Sequence, residues 1–438
     1  MDAKIVLSDF LTDEEIKALP DQRGLRSWAF EPYLELQPQA THSLDPLLHD
    51  LRDSWMQGFE RKPNASRQAN FLGCLRVILI NLMRVQTFDD GLTVGMASGK
   101  GRLDHERRYR PAQATVSYHL QALALLQERG LVKIVQGGYH FFGYSQTARY
   151  ALTDTALLTL PLEGLTVSDF SIARRDETIR LKNSEGQLIK YMDTEETHEM
   201  RLRLHKLNTL LESTDIGSTS HPNALTDFDE EFSGERTDLY RVFNNGSFSE
   251  GGRFYGGWWL HAKKHLRQTI TINGQPTVEA DFKGLHPAIL FAKQGLSIPL
   301  DPYALVPKVD GNDTLRKHAK FTFLALLNAS WKGTAEPRHF DTRAHGMTAE
   351  AFRHSVKAAF PMLPGIFDKG IGLKLQREDS DLAERVMMHF VDRGIPVLPV
   401  HDSFIIAANH HALLVSVMKT IFYEVYGQLP TVTVSPEV

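Results

Sequence analysis

The chain has 438 residues, is 42% apolar and 23% charged, and carries a formal net charge of −4. That length exceeds one ordinary core and implies two or three domains, and the apolar fraction is enough to build them. The near-balanced charge excludes a uniformly basic nucleic-acid binder, so such contacts must come from local basic patches. Cys74 is the only cysteine, which excludes an intrachain disulfide and a cysteine zinc site. Within "NFLGCLRVILINLM" it reads as a core residue. No apolar run reads as a membrane span, and the acidic start "MDAKIVLSDFLTDEE" lacks a signal-peptide pattern. A cytoplasmic protein with no membrane partner is the expectation.

Residues 1–65 read as a helical N-terminal arm ending near "ERKPNAS". From Ser66, "SRQANFLGCLRVILINLMRVQ" shows a Ser cap and apolar residues at helical spacing. A basic stretch follows, "GMASGKGRLDHERRYRPAQ". In "ATVSYHLQALALLQERGLVKIV", Leu120, Leu123 and Leu126 share one helix face, Gly130 ends the helix, and a strand follows. A Gly-Gly turn leads to a second strand near "ARYALT". This order, carried mostly by "TVSYHLQALALLQERGLV", resembles a winged helix-turn-helix over residues 66–155. The resemblance implies a DNA-binding domain whose recognition helix begins with Gln113, Thr115, Ser117, Tyr118 and His119. Arg107, Arg108 and Arg110 beside it would meet phosphates. The same fold also serves protein contacts, so both roles stay open.

Residues 156–235 read as a connector. They hold a charged helix at 193–213, "DTEETHEMRLRLHKLNTLLES", and a loop rich in Ser, Thr, Asp and Gly. Beyond 235, "TVEAD" is a strand ending in Asp281, followed by a turn and a helix, "HPAILFAKQG". Residues 313–331, "DTLRKHAKFTFLALLNASW", form a helix with Arg316 and Lys320 on one face. After another helix, "QREDSDLAERVMMHFVDRGI", the stretch "PVLPVHDSFII" is a hairpin with Asp402 at its turn. Apolar flanks bury such a hairpin and leave the carboxylate at its tip. Two carboxylates brought together in this way can hold two divalent ions; hard oxygen ligands suit Mg2+, with Mn2+ as a substitute. Glu279 shares the strand face of Asp281 and is either a third metal-site carboxylate or the partner of a basic neighbour.

Taken with "YRVFNNGSFSEGGRFYGGWWLHAKKHLR" upstream, these segments stand in an order that resembles the palm and fingers of family A-like DNA polymerases and single-subunit phage-type RNA polymerases. The resemblance spans residues 236–438. It implies that Asp281 and Asp402 are the catalytic carboxylates and metal ligands. Arg316, Lys320, His286 and Asn328 would bind the nucleotide, the two cations clamping its triphosphate. Arg253, Lys263, Lys264, Arg267, Gln376 and His401 would touch primer and template. Three departures matter. Ser403 stands where family A DNA polymerases carry Glu, as in the phage-type enzymes. "DFKGLHPAI" is closer to family B than to family A. Leu324, Ala325, Asn328 and Ala329 replace the aromatic, Gly and Tyr-Gly of the fingers helix. His286, five residues after Asp281, stands where the families crowd the ribose 2′-position, and its size leaves DNA against RNA synthesis open.

The expected fold is α+β: an N-terminal winged helix domain, then an antiparallel palm with flanking helices and reduced fingers and thumb, the thumb drawn from helix 193–213. The expected function is a template-dependent nucleotidyltransferase, a DNA polymerase or primase-like polymerase without a proofreading exonuclease, serving replication or priming of a mobile element or phage. It would act on nucleoside triphosphates and a DNA primer-template with two Mg2+ ions. A single-subunit RNA polymerase, a terminal transferase and a non-catalytic DNA-binding initiator or regulator are the competing readings.

Overall fold

The computed structural model describes residues 27–96, 107–109, 116–136, 139–141, 144–166, 169–175, 177–219, 236–329 and 340–435. The chain divides into two compact units, Met1–Asp176 with Asn223–Arg236, and Glu177–Pro222 with Thr237–Val438. Each mixes helices with mainly antiparallel sheet, so the fold is α+β.

In chain order the first unit contains β1 (Ser27–Ala29), β2 (Leu34–Leu36), α1 (Pro38–Gln57), α2 (Ala65–Phe88) and β3 (Thr93–Met96). Next come α3 (Val116–Glu128), β4 (Val132–Gln136), β5 (Tyr139–Phe141), β6 (Tyr144–Gln146), β7 (Ala148–Leu152), α4 (Asp154–Thr159) and β8 (Phe170–Ile172). The main sheet runs β1-β3-β7-β4. Helix α2 is capped by Asn64, whose side chain accepts from the Arg67 N–H; the cap is therefore not Ser66. The N-terminal segment shares this unit's core: Leu44, Leu48, Leu51 and Trp55 of α1 are buried with Phe71, Leu75, Ile78 and Leu82 of α2. Trp55 stacks on Phe71 with ring centroids 4.0 Å apart. Cys74 is buried in the same core.

By length and composition α2 is apolar enough to cross a bilayer, contrary to the sequence expectation, but 72% of that stretch is buried inside the unit. Its apolar residues are explained by the core they fill. The passage α3–β4–β7 forms where the sequence placed a helix and two strands, with the hairpin β5–β6 between the strands. Gly130 ends α3 at φ 64°, and the Leu131 N–H donates to the Leu126 carbonyl. A left-handed glycine closes the helix because no Cβ opposes that conformation.

The second unit opens with β9 (Ile179–Leu181), α5 (Glu195–Glu212), β10 (Ile216–Ser218), β11 (Tyr240–Asn244) and β12 (Ser247–Tyr255). It continues with α6 (Lys264–Arg267), β13 (Ile270–Ile272), β14 (Gln275–Phe282), α7 (Leu285–Lys293) and α8 (Asp313–Asn328). It ends with α9 (Thr342–His345), α10 (Ala349–Ala358), α11 (Gly372–Val391), β15 (Val397–Val400), β16 (Ser403–Ala407), α12 (His411–Tyr426) and β17 (Val432–Ser435). One sheet runs β10-β13-β14-β16-β15, with β17 also pairing β14, and all its pairings are antiparallel. A second sheet runs β12-β11-β9. Asn245 and Gly246 link β11 to β12 with φ of 53° and 67°, the signature of a tight hairpin turn. Helix α11 lies close on β12, where the Ser380 hydroxyl donates to the Gly251 carbonyl at 3.1 Å. A Cβ at neighbouring Gly252 would sit 2.8 Å from the Phe243 ring, so only glycine fits.

Candidate active site

The site is built at one end of the larger sheet in the second unit. Val278, Ala280 and Phe282 of β14 are buried, which leaves Glu279 and Asp281 on the strand's other face. Asp281 pairs across to Ser403, the first residue of β16. Hairpin β15–β16 turns through His401 and Asp402, and its strands bury Val397, Leu398, Phe404, Ile405 and Ile406. His401 holds φ 58°, left-handed for a residue with a Cβ. The Phe282 N–H donates to the Asp402 carbonyl at 3.2 Å, which sets the hairpin tip beside the end of β14. The two carboxylates read from the sequence thus lie side by side.

Their electrostatics are unbalanced. The Asp281 carboxyl is pushed up to about 7, first by burial and then by Asp402, with a smaller push from Glu279, against the pull of Lys320 and Lys264. Among the described residues neither the Asp281 nor the Asp402 carboxylate accepts a hydrogen bond or forms an ion pair. Two adjacent acids without donors fit a divalent cation, which would supply the missing positive charge. No group of three or more His, Cys, Asp or Glu that could hold a metal occurs among the described residues. A cation there would have Asp281 and Asp402 as its protein ligands, with solvent completing the shell, as Mg2+ tolerates.

Glu279 takes the role of a basic residue's partner. Arg267 donates to it through Nε at 2.9 Å and Nη2 at 3.1 Å, and the Ser403 hydroxyl donates at 2.6 Å. This corrects the expectation for Arg267: its third nitrogen donates to the Ala262 carbonyl, so its charge is neutralised inside the protein rather than offered to primer-template phosphates. Arg316 is corrected in the same way. Both Nε and Nη2 donate to Asp301, and the guanidinium lies over the Tyr303 ring, so it presents no free cation to a triphosphate. Lys320, one turn further along α8, is exposed and close enough to act on Asp281. Lys263 and Lys264 are also exposed, and Lys264 acts on Asp281 as well.

Asn328 is exposed, donates to the Leu324 carbonyl of its own helix at 2.8 Å, and its amide lies close against Gly372 at the start of α11. Arg253 and His286 are brought together, but on a residue the sequence reading missed. Asp379 of α11 accepts from Arg253 and His286. Gln376 stands one turn before Asp379 and is partly exposed. The His401 ring lies edge-on to Tyr255 at 6.2 Å. Loss of hydration, and then Arg253, lower its basicity. A signal for Asp379 existed: it continues the helical stripe Leu375, Leu382 and Val386, where an acid is out of place unless paired.

In the first unit, Arg110, Gln113 and Thr115 lie outside the described residues, as do the side chains of Arg107 and Ser117. Arg108 is half-buried on a short helical turn, Arg107–Tyr109. His119 is corrected: it is 3% exposed, edge-on to Phe30 at 4.8 Å, and burial lowers its pKa to about 4. A neutral core imidazole cannot read a DNA groove. Tyr118 leans on Trp55 and Phe71, and its hydroxyl accepts from Arg67.

No family model and no curated protein matches the chain. Among solved structures it is similar to the POL domain of Pol1 from M. smegmatis, in a complex with DNA primer-template and dNTP, at a TM-score of 0.31 and 10% identity. The match covers 90% of this chain and 64% of that chain, so it spans less than two thirds of the matched protein. That degree of likeness does not establish a shared fold.

Proposed function

We propose that the second unit is the palm of a template-dependent nucleotidyltransferase acting on nucleoside triphosphates and a DNA primer-template. The observation that carries this is the Asp281–Asp402 pair: one acid at the end of β14 and one at the turn of the hairpin that pairs with it, without donors among the described residues, the first pushed up to about 7. A divalent cation held there supplies Lewis-acid charge for phosphoryl transfer. Lys320 and Lys264, exposed beside the acids, are the cations best placed to meet an anionic substrate. The hairpin and the strand–turn–helix after Asp281 support the palm reading, as does the antiparallel sheet that joins them. Helix α3 with β4 and β7 supports a winged helix in the first unit, whose DNA contacts would come from the basic stretch before α3.

One observation favours a second reading, a non-catalytic DNA-binding initiator or regulator. Arg316 and Arg267, two of the expected substrate cations, are each paired to an acid. One assay decides. The full chain is incubated with Mg2+, labelled nucleotides, and DNA with or without a template overhang. Template-directed extension that Asp281→Asn and Asp402→Asn both abolish is the expected result. Extension without an overhang would mean a terminal transferase. No incorporation would leave the binding role.

A further inference from the structure

The sheet β12-β11-β9 has two unlike faces. Arg241 and Phe243 of β11 and Phe254 of β12 are buried, and Arg241 donates to Ser380 and Asp381 of α11, so that face is covered. Strand alternation puts Tyr240 and Tyr255 on the other face. They stand directly opposite each other in the β11–β12 register, with ring centroids 6.0 Å apart. From β9 the Arg180 guanidinium lies over the Tyr240 ring, 4.0 Å from its centroid. On the other side the Tyr255 ring meets that of His401, 6.2 Å away, at the tip of the hairpin that carries Asp402. One guanidinium and three rings thus form a continuous row that ends beside the acid pair.

A cross-strand tyrosine pair stabilises a sheet, and that accounts for Tyr240 facing Tyr255. It does not account for the rest of the row. Tyr255 leaves 37% of its surface open to solvent on an edge strand. A guanidinium lying over a ring is itself a stacking surface that carries charge. Lys182, two residues after Arg180 and half-buried, adds a second cation in the same strand phase. Open rings interleaved with cations suit unpaired bases, each offering a π-face, strung on a chain of phosphates. A duplex hides those faces.

We propose that this row binds a single-stranded nucleic acid. Its bases stack along Tyr255 and Tyr240, its phosphates meet Arg180 and Lys182, and the strand runs toward the hairpin tip at His401. Such a site goes beyond the nucleotidyltransferase reading and needs no catalysis to be detected.

The test uses the full chain in chelator without nucleotides, so that only binding is read. Fluorescence anisotropy follows a labelled oligothymidine, a labelled oligouridine and a blunt DNA duplex, each at low and raised salt. The wild type is expected to bind at least one of the single strands, more weakly as salt rises. The tighter of the two tells the sugar of the strand. Tyr255→Ala should weaken that complex about five- to a hundredfold, the effect of losing one base stack, and leave duplex affinity unchanged. Tyr255→Phe should keep the affinity, because the ring and not the hydroxyl does the stacking. Arg180→Gln should weaken it about two- to fivefold. An iodouracil base in the strand should photocrosslink to Tyr255 or Tyr240, as read by peptide mass mapping. Melting temperature shows which variants are folded. Unchanged single-strand affinity in folded Tyr255→Ala overturns the proposal, and so does a loss shared equally by the duplex. If Tyr255→Ala does not fold, Tyr255→Leu, which keeps apolar bulk without a ring, decides by the same outcomes. A wild type that binds neither single strand overturns it outright. The nucleotidyltransferase reading stands or falls separately, by the extension assay.

Discussion

Asp281→Asn tests the electrostatics of the site without any substrate. The folded protein raises the Asp281 pKa from 3.8 to about 7, so it favours the protonated acid. Stability from this residue is fully present below the unfolded value and is lost as pH rises through the folded one. The shift corresponds to about 4 kcal/mol over the whole window, and to about 3 kcal/mol between pH 5 and pH 8. Asn resembles the neutral acid and does not titrate. The variant should therefore gain on the wild type as pH rises, by about 6–12 °C in melting temperature between pH 5 and pH 8. Thermal melts of both proteins in chelator at pH 5, 6, 7 and 8 measure this. Mn2+ added at pH 8 should stabilise the wild type by mass action and leave Asp281→Asn nearly unmoved. A gap between the two proteins that stays constant from pH 5 to pH 8 would refute the reasoning, because Asp281 would then titrate as an ordinary exposed acid.

Lys320→Ala should lower kcat/KM for the nucleotide about tenfold or more, while Arg316→Ala, whose charge Asp301 already neutralises, should mainly cost about 1 kcal/mol of stability. Steady-state kinetics and melts separate the two, and Arg316→Ala combined with Asp301→Asn should be little worse than either alone. Arg267→Ala should destabilise the second unit by about 3 kcal/mol or more, because it leaves Glu279 half-buried with only the Ser403 hydroxyl; chemical denaturation reads this. His119 is buried neutral, so its contribution to stability is present above 6.5 and lost as pH falls toward about 4. Full loss is about 3 kcal/mol, and His119→Gln should flatten the first unit's denaturation midpoint between pH 7 and pH 4.5.

Local chemistry was legible in the sequence. Alternation and turn residues placed the strand ending at Asp281, the glycine turn into α7 and the hairpin through His401 and Asp402, because strand period, left-handed glycine and tight turns depend on neighbouring residues. Helical spacing likewise placed α5, α8 and α11. Which charges remain available is a different matter. Arg316 met Asp301 fifteen residues earlier, and Arg267 met Glu279 across a short strand and its turn. Asp379 took Arg253 from 126 residues away and His286 from 93. His119, read as a groove contact at the start of a helix, turned into the core against Phe30. Pattern fixes which face of an element is apolar, but a charged side chain chooses its partner among whatever the packed elements bring within reach. Only the tertiary structure could decide that Arg316 is paired to Asp301 while Lys320 has no ion pair among the described residues, and that a buried acid in α11 holds Arg253 and His286.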